Sequence, residues 1–252
     1  MIPIVTFCNS NYIKIANNWL KAIRRIGLDK QVLIVALDEK TQESFSNEHI
    51  LYRPYNNTNH LGSLWLHRTE VLREILLKEG ELIHSDSDAI WLQDPLKDIQ
   101  ECGADGVFSQ GTIWPPDVHR QFGIVLCCGL FYLSNQKGIQ ALLDETILQI
   151  KVGNDDQAAL NRIIAKSIGS WNVKQPYEIS FKDTHFIASK MPIISNGLHI
   201  NHKKIKISIL PHHLFPRLVT RNNKDAKIVH PLAGKTLLEK EVCLRNLDLW
   251  LS

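Results

Sequence analysis

Asp86 and Asp88 stand two residues apart, just past the short apolar run Leu82–His84. In extended chain, positions i and i+2 project to the same side. Two carboxylates held that close repel each other unless a cation lies between or beside them. Oxygen ligands suit a hard divalent ion, Mn²⁺ or Mg²⁺, and such an ion suits a diphosphate. A bare Asp-x-Asp also occurs in surface turns. Here an apolar strand runs into it from mid-chain, and open α/β sheets bind their ligands beyond the carboxyl ends of the strands.

Two further polar groups are candidates. Asn9, Ser10, Asn11 and Tyr12 follow the first apolar run. At the end of a first strand they face the ligand crevice, and they can equally cap the next helix. Asp155, Asp156 and Gln157 open a helical stretch that Asn154 can cap. Carboxylates at a helix N-terminus are favoured by its dipole, so first-turn acids account for Asp155 and Asp156 as well as a binding role does.

The elements that must position these groups follow from periodicity. Ile2–Phe7 and Val32–Leu37 read as buried strands, and Ile13–Ile26 between them as an amphipathic helix stopped by Gly27. This β-α-β opening implies a parallel sheet with a crossover. A helix is expected from His60 to Lys78, then a strand at Leu82–His84 leading into the aspartates. Gly106–Ser109 and Leu130–Leu133 read as strands, and Gly138–Lys151 and Asp155–Ile168 as helices. Apolar runs at Ile205–Leu210 and Ile228–His230 precede a helix-like stretch from Lys235 to Leu251. Trp65 and Trp91 read as core, His84 as packed or turned away from the aspartates, and His212-His213 as a wall or a loop.

With 44% hydrophobic and 22% charged residues, the chain has the composition of a folded globular domain. A net charge of +3 is too small to argue for nucleic acid, and no nucleic-acid partner is expected. The one dense basic stretch, Asn201–Lys206, is a solvated edge or a rim attracting an anionic partner, a membrane surface included. Five cysteines without CxxC spacing read as buried free thiols, favouring a reducing compartment. No apolar run approaches the ~20 residues of a membrane span, and no signal peptide is visible. The expected location is cytoplasmic. The whole chain, 1–252, reads as one α/β domain with a mixed, mostly parallel central sheet flanked by helices.

The run Leu82-Ile-His-Ser-Asp-Ser-Asp-Ala-Ile-Trp-Leu-Gln-Asp-Pro95 resembles the motif region of nucleotide-diphospho-sugar transferases. These are glycosyltransferases of the GT-A fold, whose families carry a strand, Asp-x-Asp, apolar-Trp-apolar and Asp-Pro. The resemblance runs through most of the chain in pieces. It implies a nucleotide-binding half at 1–100 and a sugar- and acceptor-binding half at 101–252. Asn9 and Asn11 would bond the base, with Tyr12 stacked on it. Arg68 would touch donor phosphate or sugar, unless it forms a surface pair with Glu70, Glu74 or another acid. Cys127-Cys128-Gly129 is similar to a family strand in which the glycine lets the donor sugar approach; Cys127 stands where Asn is common. Asp156-Gln157 followed by Leu160-Asn161 resembles the helix whose acid holds donor-sugar hydroxyls. His230-Pro-Leu-Ala-Gly234-Lys235 looks like a C-terminal segment that supplies a third metal ligand, His230, and a phosphate-binding Lys235. A strand-end histidine followed by a helix start accounts for the same residues.

The activity so implied is transfer of a hexosyl or pentosyl group from a nucleoside-diphosphate sugar, with a lean to UDP, to a glycan, lipid or protein acceptor. Asp86, Asp88 and His230 would hold Mn²⁺ or Mg²⁺. Asp155 or Asp156 would orient the sugar, and serve as base if the reaction inverts; the resemblance leans towards retention. A haloacid-dehalogenase-type phosphatase also uses Asp-x-Asp after a strand, but it usually has Thr or Val where Ile90 stands. A nucleotidyltransferase would want a glycine-rich loop at residues 7–14, which hold no Gly. A non-catalytic nucleotide- or sugar-binding module is the remaining alternative.

Overall fold

The computed structural model describes residues 1–55, 61–219, 225–234 and 236–251. The chain opens with β1 (Ile4–Cys8), α1 (Ile13–Arg25), β2 (Val32–Ala36), α2 (Glu39–Ser44) and β3 (Ile50–Tyr52). Then come α3 (Leu61–Glu79), β4 (Glu81–Ser85), β5 (Ile90–Trp91), α4 (Leu96–Glu101) and β6 (Gly106–Gln110). The middle holds α5 (Pro116–Phe122), β7 (Leu126–Ser134), α6 (Lys137–Lys151) and α7 (Asp156–Ser167). Short strands follow: β8 (Ser170–Asn172), β9 (Pro176–Phe181), β10 (Thr184–Ser189), β11 (Ile193–Asn196), β12 (His199–Ile200), β13 (Lys203–Lys204), β14 (Ile207–Ile209) and β15 (Ile228–Val229). Helix α8 (Leu237–Asn246) comes last.

The central sheet has the order β3-β2-β1-β4-β7-β6-β14-β11-β8. Seven of these strands run in one direction, and β7 and β11 oppose them. Side chains alternate between two apolar layers, as the period of two requires. Ile4, Ile34 and Ile83 face a core built with α1, β5, β15 and Leu244 of α8. Val5, Val35 and Leu82 face the opposite core, shared with α3, α6 and α7. β2 is buried at all five positions, as expected for a strand covered on both faces. The α1 stripe of Ile15, Ala16, Trp19, Leu20, Ala22 and Ile23 is buried, which is what its helical spacing demands. The end of the chain is tied back to this helix: the Asn18 amide donates to the Leu249 carbonyl at 3.0 Å and accepts from the Leu251 N–H at 2.6 Å.

Several boundaries differ from the sequence reading. Helix α7 is capped by Asp155, which is extended and accepts from the Ala158 N–H. The Asn154 amide instead donates to the Gln149 carbonyl, at the end of the preceding helix. The last helix spans Leu237–Asn246, because Thr236 and Glu239 form a reciprocal capping box that fixes its start. The β9–β10 hairpin lies in a stretch the periodicity left irregular, since β9 alternates only exposed and half-buried positions. The cysteines are free thiols, and all but Cys243 are buried. No described helix is long and apolar enough to cross a membrane.

Candidate active site

Strand β4 delivers Asp86 from its carboxyl end. The Asp86 N–H donates to the Gly129 carbonyl of β7 at 2.7 Å, and the Ala89 N–H donates back to the Asp86 carbonyl at 3.0 Å, closing a turn. The chain then enters β5, which pairs antiparallel with β15 in the register Ile90↔Val229. His230 directly follows β15, so this two-strand ladder carries it to the turn that bears Asp88. His230 Nε2 lies 3.3 Å from Asp88 Oδ1 and 3.9 Å from Asp86 Oδ2. One atom from each of Asp86, Asp88 and His230 can be chosen so that all lie within 4.8 Å of one another. Two carboxylates and an imidazole at that spacing fit a hard divalent cation.

Gly129 belongs beneath this cluster for a steric reason. A Cβ there would stand 2.2 Å from His230 Cε1 and 2.5 Å from Asp86 Oδ2. Any larger residue would push both side chains aside.

Cations crowd the carboxylates. Arg68, from α3, contacts Asp86 Oδ1 at 3.1 Å through Nη1 and pairs with Asp156 through Nη2. Arg68 thus pairs with acids of the cleft rather than with Glu70, which meets Lys151, or Glu74, which meets Arg53. Lys240 of α8 reaches Asp88 Oδ2 at 2.5 Å. Burial alone would raise the Asp86 pKa, but the hydrogen bond from His84 and the Arg68 charge outweigh it and hold it at about 2. Asp88 is likewise held well below the usual carboxylate range, His230 and Lys240 overcoming burial. Burial and Arg217 pull His230 down, yet its contacts with Asp88 and Cys127 bring it up to about 9. Burial lowers His84. Its ring is wedged between Phe7 and Phe131, with Nδ1 at 3.1 Å from the Val5 carbonyl and Nε2 at 3.2 Å from Asp86. His84 is therefore packed, one of the two places the sequence reading allowed, and from there it also contacts Asp86.

The triad lies where two cavities meet. The first, of about 190 Å³, is lined by Phe7, Asn9, Tyr12, Leu37, Trp65 and Lys240 among others. The second, of about 560 Å³, adds Trp114, Gly129, Asp155, Asp156, Gln157 and His230. Asn9 and Tyr12 thus face the cleft, whereas Asn11 is exposed and lines neither cavity. A 3₁₀ turn at Ser10–Tyr12 separates them. Trp91 is core, at 1% exposure, but Trp65 lines both cavities. Lys235 lies outside the described residues.

Helix α7 is stitched to β7 at its first turns. Asn161 exchanges two hydrogen bonds with the Leu126 backbone, and Gln157 Oε1 accepts from the Cys128 N–H at 3.2 Å. The Gln157 amide donates to the Trp114 carbonyl, and Asp155 accepts from the Trp114 indole at 3.0 Å. Asp155 is therefore both the helix cap and part of the cleft wall. Lys240 is the residue the sequence reading passed over. Its signal was Thr236-Leu-Leu-Glu239, a capping box that starts a helix at Leu237, three residues before it.

The fold is that of the GT-A glycosyltransferases. The galactosyltransferase LgtC, solved with donor and acceptor sugar analogues, matches with a TM-score of 0.53 at 10% identity over 100% of this chain and 97% of that one. A glycosyltransferase involved in glycosylation of the major capsid of PBCV-1 matches with a TM-score of 0.54 at 10% identity, over 97% and 98%. The chain belongs to the nucleotide-diphospho-sugar transferase family, whose profile matches residues 27–237. UDP-D-xylose:L-fucose alpha-1,3-D-xylosyltransferase 3 of Arabidopsis thaliana is 23% identical over 234 residues, covering 84% of this chain and 54% of that protein. The chain thus spans about half the length of the curated relative it matches.

Proposed function

We propose that this glycosyltransferase moves a hexosyl or pentosyl group from a UDP-sugar to an acceptor hydroxyl, with Mn²⁺ or Mg²⁺ held by Asp86, Asp88 and His230. The observation that carries this reading is the triad's position between a small aromatic cavity and a larger polar one. A nucleoside fits the first, its diphosphate the triad, and its sugar the second. Asn9 Oδ1 is buried with no hydrogen-bond partner, and it can accept from a base N–H. Tyr12 and Trp65 flank the same space. The name of the plant relative includes a UDP-linked pentose, which supports the choice of base.

In the transfer, the bond from the anomeric carbon to the diphosphate oxygen breaks and a bond to the acceptor oxygen forms. The acceptor proton leaves with the diphosphate if configuration is retained, or goes to Asp155 or Asp156 if it inverts. Charge builds on the departing diphosphate, and a bound divalent ion supplies a Lewis acid against it. Lys240 and Arg68 add fixed positive charge around the same group; the family resemblance assigns Lys235 to the diphosphate as well. Asp156, aimed by Arg68, and Gln157, held by the Cys128 and Trp114 backbones, orient the sugar hydroxyls over Gly129. The acceptor is a glycan, lipid or protein hydroxyl entering at the second cavity.

The test is a thermal-shift screen of UDP, GDP, CDP and dTDP with and without Mn²⁺. A ligand that binds only the folded state raises its melting temperature. A Mn²⁺-dependent rise with UDP, lost in Asp88→Ala, is expected. No response to any nucleotide would sink the reading.

A further inference from the structure

Arg217 stands at the far side of the triad from the nucleotide cavity. It lines the second cavity together with His230, and also a third of about 580 Å³ walled by Leu218, Val219, Leu232, Val242 and Leu247. It is absent from the lining of the first. Its Nε and Nη1 are buried and have no hydrogen-bond partner. Among the described residues it forms no ion pair. Glu239, the acid on the third cavity's wall, is engaged by Thr236 through the capping box. Yet the charge is felt locally: it opposes protonation of buried His212. In a half-buried arginine, two buried donors without partners are costly unless an acceptor meets them.

Resting on the proposed function, we infer that Arg217 is a subsite for the carboxylate of an acidic sugar, presented by the acceptor where the second and third cavities join. A carboxylate answers the guanidinium's charge with charge-assisted hydrogen bonds. The donor diphosphate is a poorer match for Arg217. It belongs at the residues common to the first and second cavities, where Lys240 and Arg68 already answer its charge. The apolar wall beyond suits the less polar face of a pyranose ring.

The experiment uses the full chain with Mn²⁺, with and without UDP, and calorimetric titration of paired methyl glycosides. Each pair sets a uronide against its neutral counterpart, in the gluco, galacto and manno series. A further arm sets UDP-glucuronate against UDP-glucose. We expect one uronide to bind about tenfold or more tightly than its neutral partner. That preference should vanish in Arg217→Gln and be partly kept in Arg217→Lys, while UDP with Mn²⁺ still stabilises both variants. A preference confined to the UDP-sugar arm and dependent on Arg217 keeps the carboxylate site and moves its source to the donor. No acid preference in any arm overturns the inference. So does loss of the UDP response in Arg217→Gln, which would assign the guanidinium to the diphosphate. Failure of UDP to bind the unmodified protein would refute the donor reading instead, and the glycoside pairs run without UDP would still decide this one.

Discussion

The Ser85 hydroxyl accepts from two buried indoles, Trp19 Nε1 at 3.2 Å and Trp91 Nε1 at 3.0 Å, one residue before the first aspartate. Ser85→Ala leaves both N–H groups without an acceptor, at about 1–3 kcal/mol each. Urea unfolding should show a loss of about 2–5 kcal/mol; a loss under about 1 kcal/mol would mean that neither bond matters. Gly129→Ala attacks the site rather than the core. Its Cβ displaces His230 and Asp86 together, so Mn²⁺ should no longer raise the melting temperature, and an unchanged Mn²⁺ response would refute the steric argument. His212 gives a pH signature. Burial, with Arg217 nearby, lowers it from 6.5 to about 4, so between those values the unfolded chain takes up a proton that the fold refuses. Its contribution is therefore complete above about pH 6.5 and drains away as pH falls towards 4, by about 3 kcal/mol at most. His212→Gln should flatten that part of the stability profile, and equal slopes in both proteins would show that another group carries it. The aspartate pair was legible in sequence because a strand and an i, i+2 spacing are local. Lys240 was not, because its contact with Asp88 bridges 152 positions. Nor was the divergence of Asn9 from Asn11, which a single 3₁₀ turn decides.

Helix α8 brings Lys240 to the cleft, and its capping box anchors its first turn. Thr236→Ala removes the side-chain acceptor for the Glu239 N–H, a change worth about 1 kcal/mol. In a protein of this size that is a fall of about 2–4 °C in melting temperature. Hydrogen exchange in α8 should quicken more than in α3, and equal protection in both variants would argue that packing, not the cap, holds the helix. Elements with strong periodicity were readable to within a few residues: α1, α3, α6 and the buried strands β1, β2 and β4. Those whose faces are half exposed were not. The β9–β10 hairpin has no apolar stripe to announce it, and α8 has little of one, with only Leu244 buried. The β5–β15 ladder is two residues per strand, too short for any periodicity to register, yet it is what sets His230 beside Asp88.

Across the whole molecule, the cleft draws on residues from Phe7 to Lys240, contributed by both ends of the sheet's connectivity. The parallel half of the sheet and its crossover followed from the β-α-β opening, whereas the places of β7 and β14 among strands distant in sequence did not, since pairing partners carry no local mark. The Asn18 amide, bonded to the backbone at Leu249 and Leu251, bears on how such a chain is made. A growing polypeptide displays α1 first and Asp86 and Asp88 next, but the segment that fastens onto Asn18 emerges 231 positions after it. A nascent chain halted after β7 would hold its aspartates in water with neither His230 nor Lys240 to answer them. The ability to recognise a nucleotide should therefore switch on abruptly, only once Lys240 has emerged and folded back, so that a copy halted before it cannot draw on the cell's pool of activated sugar.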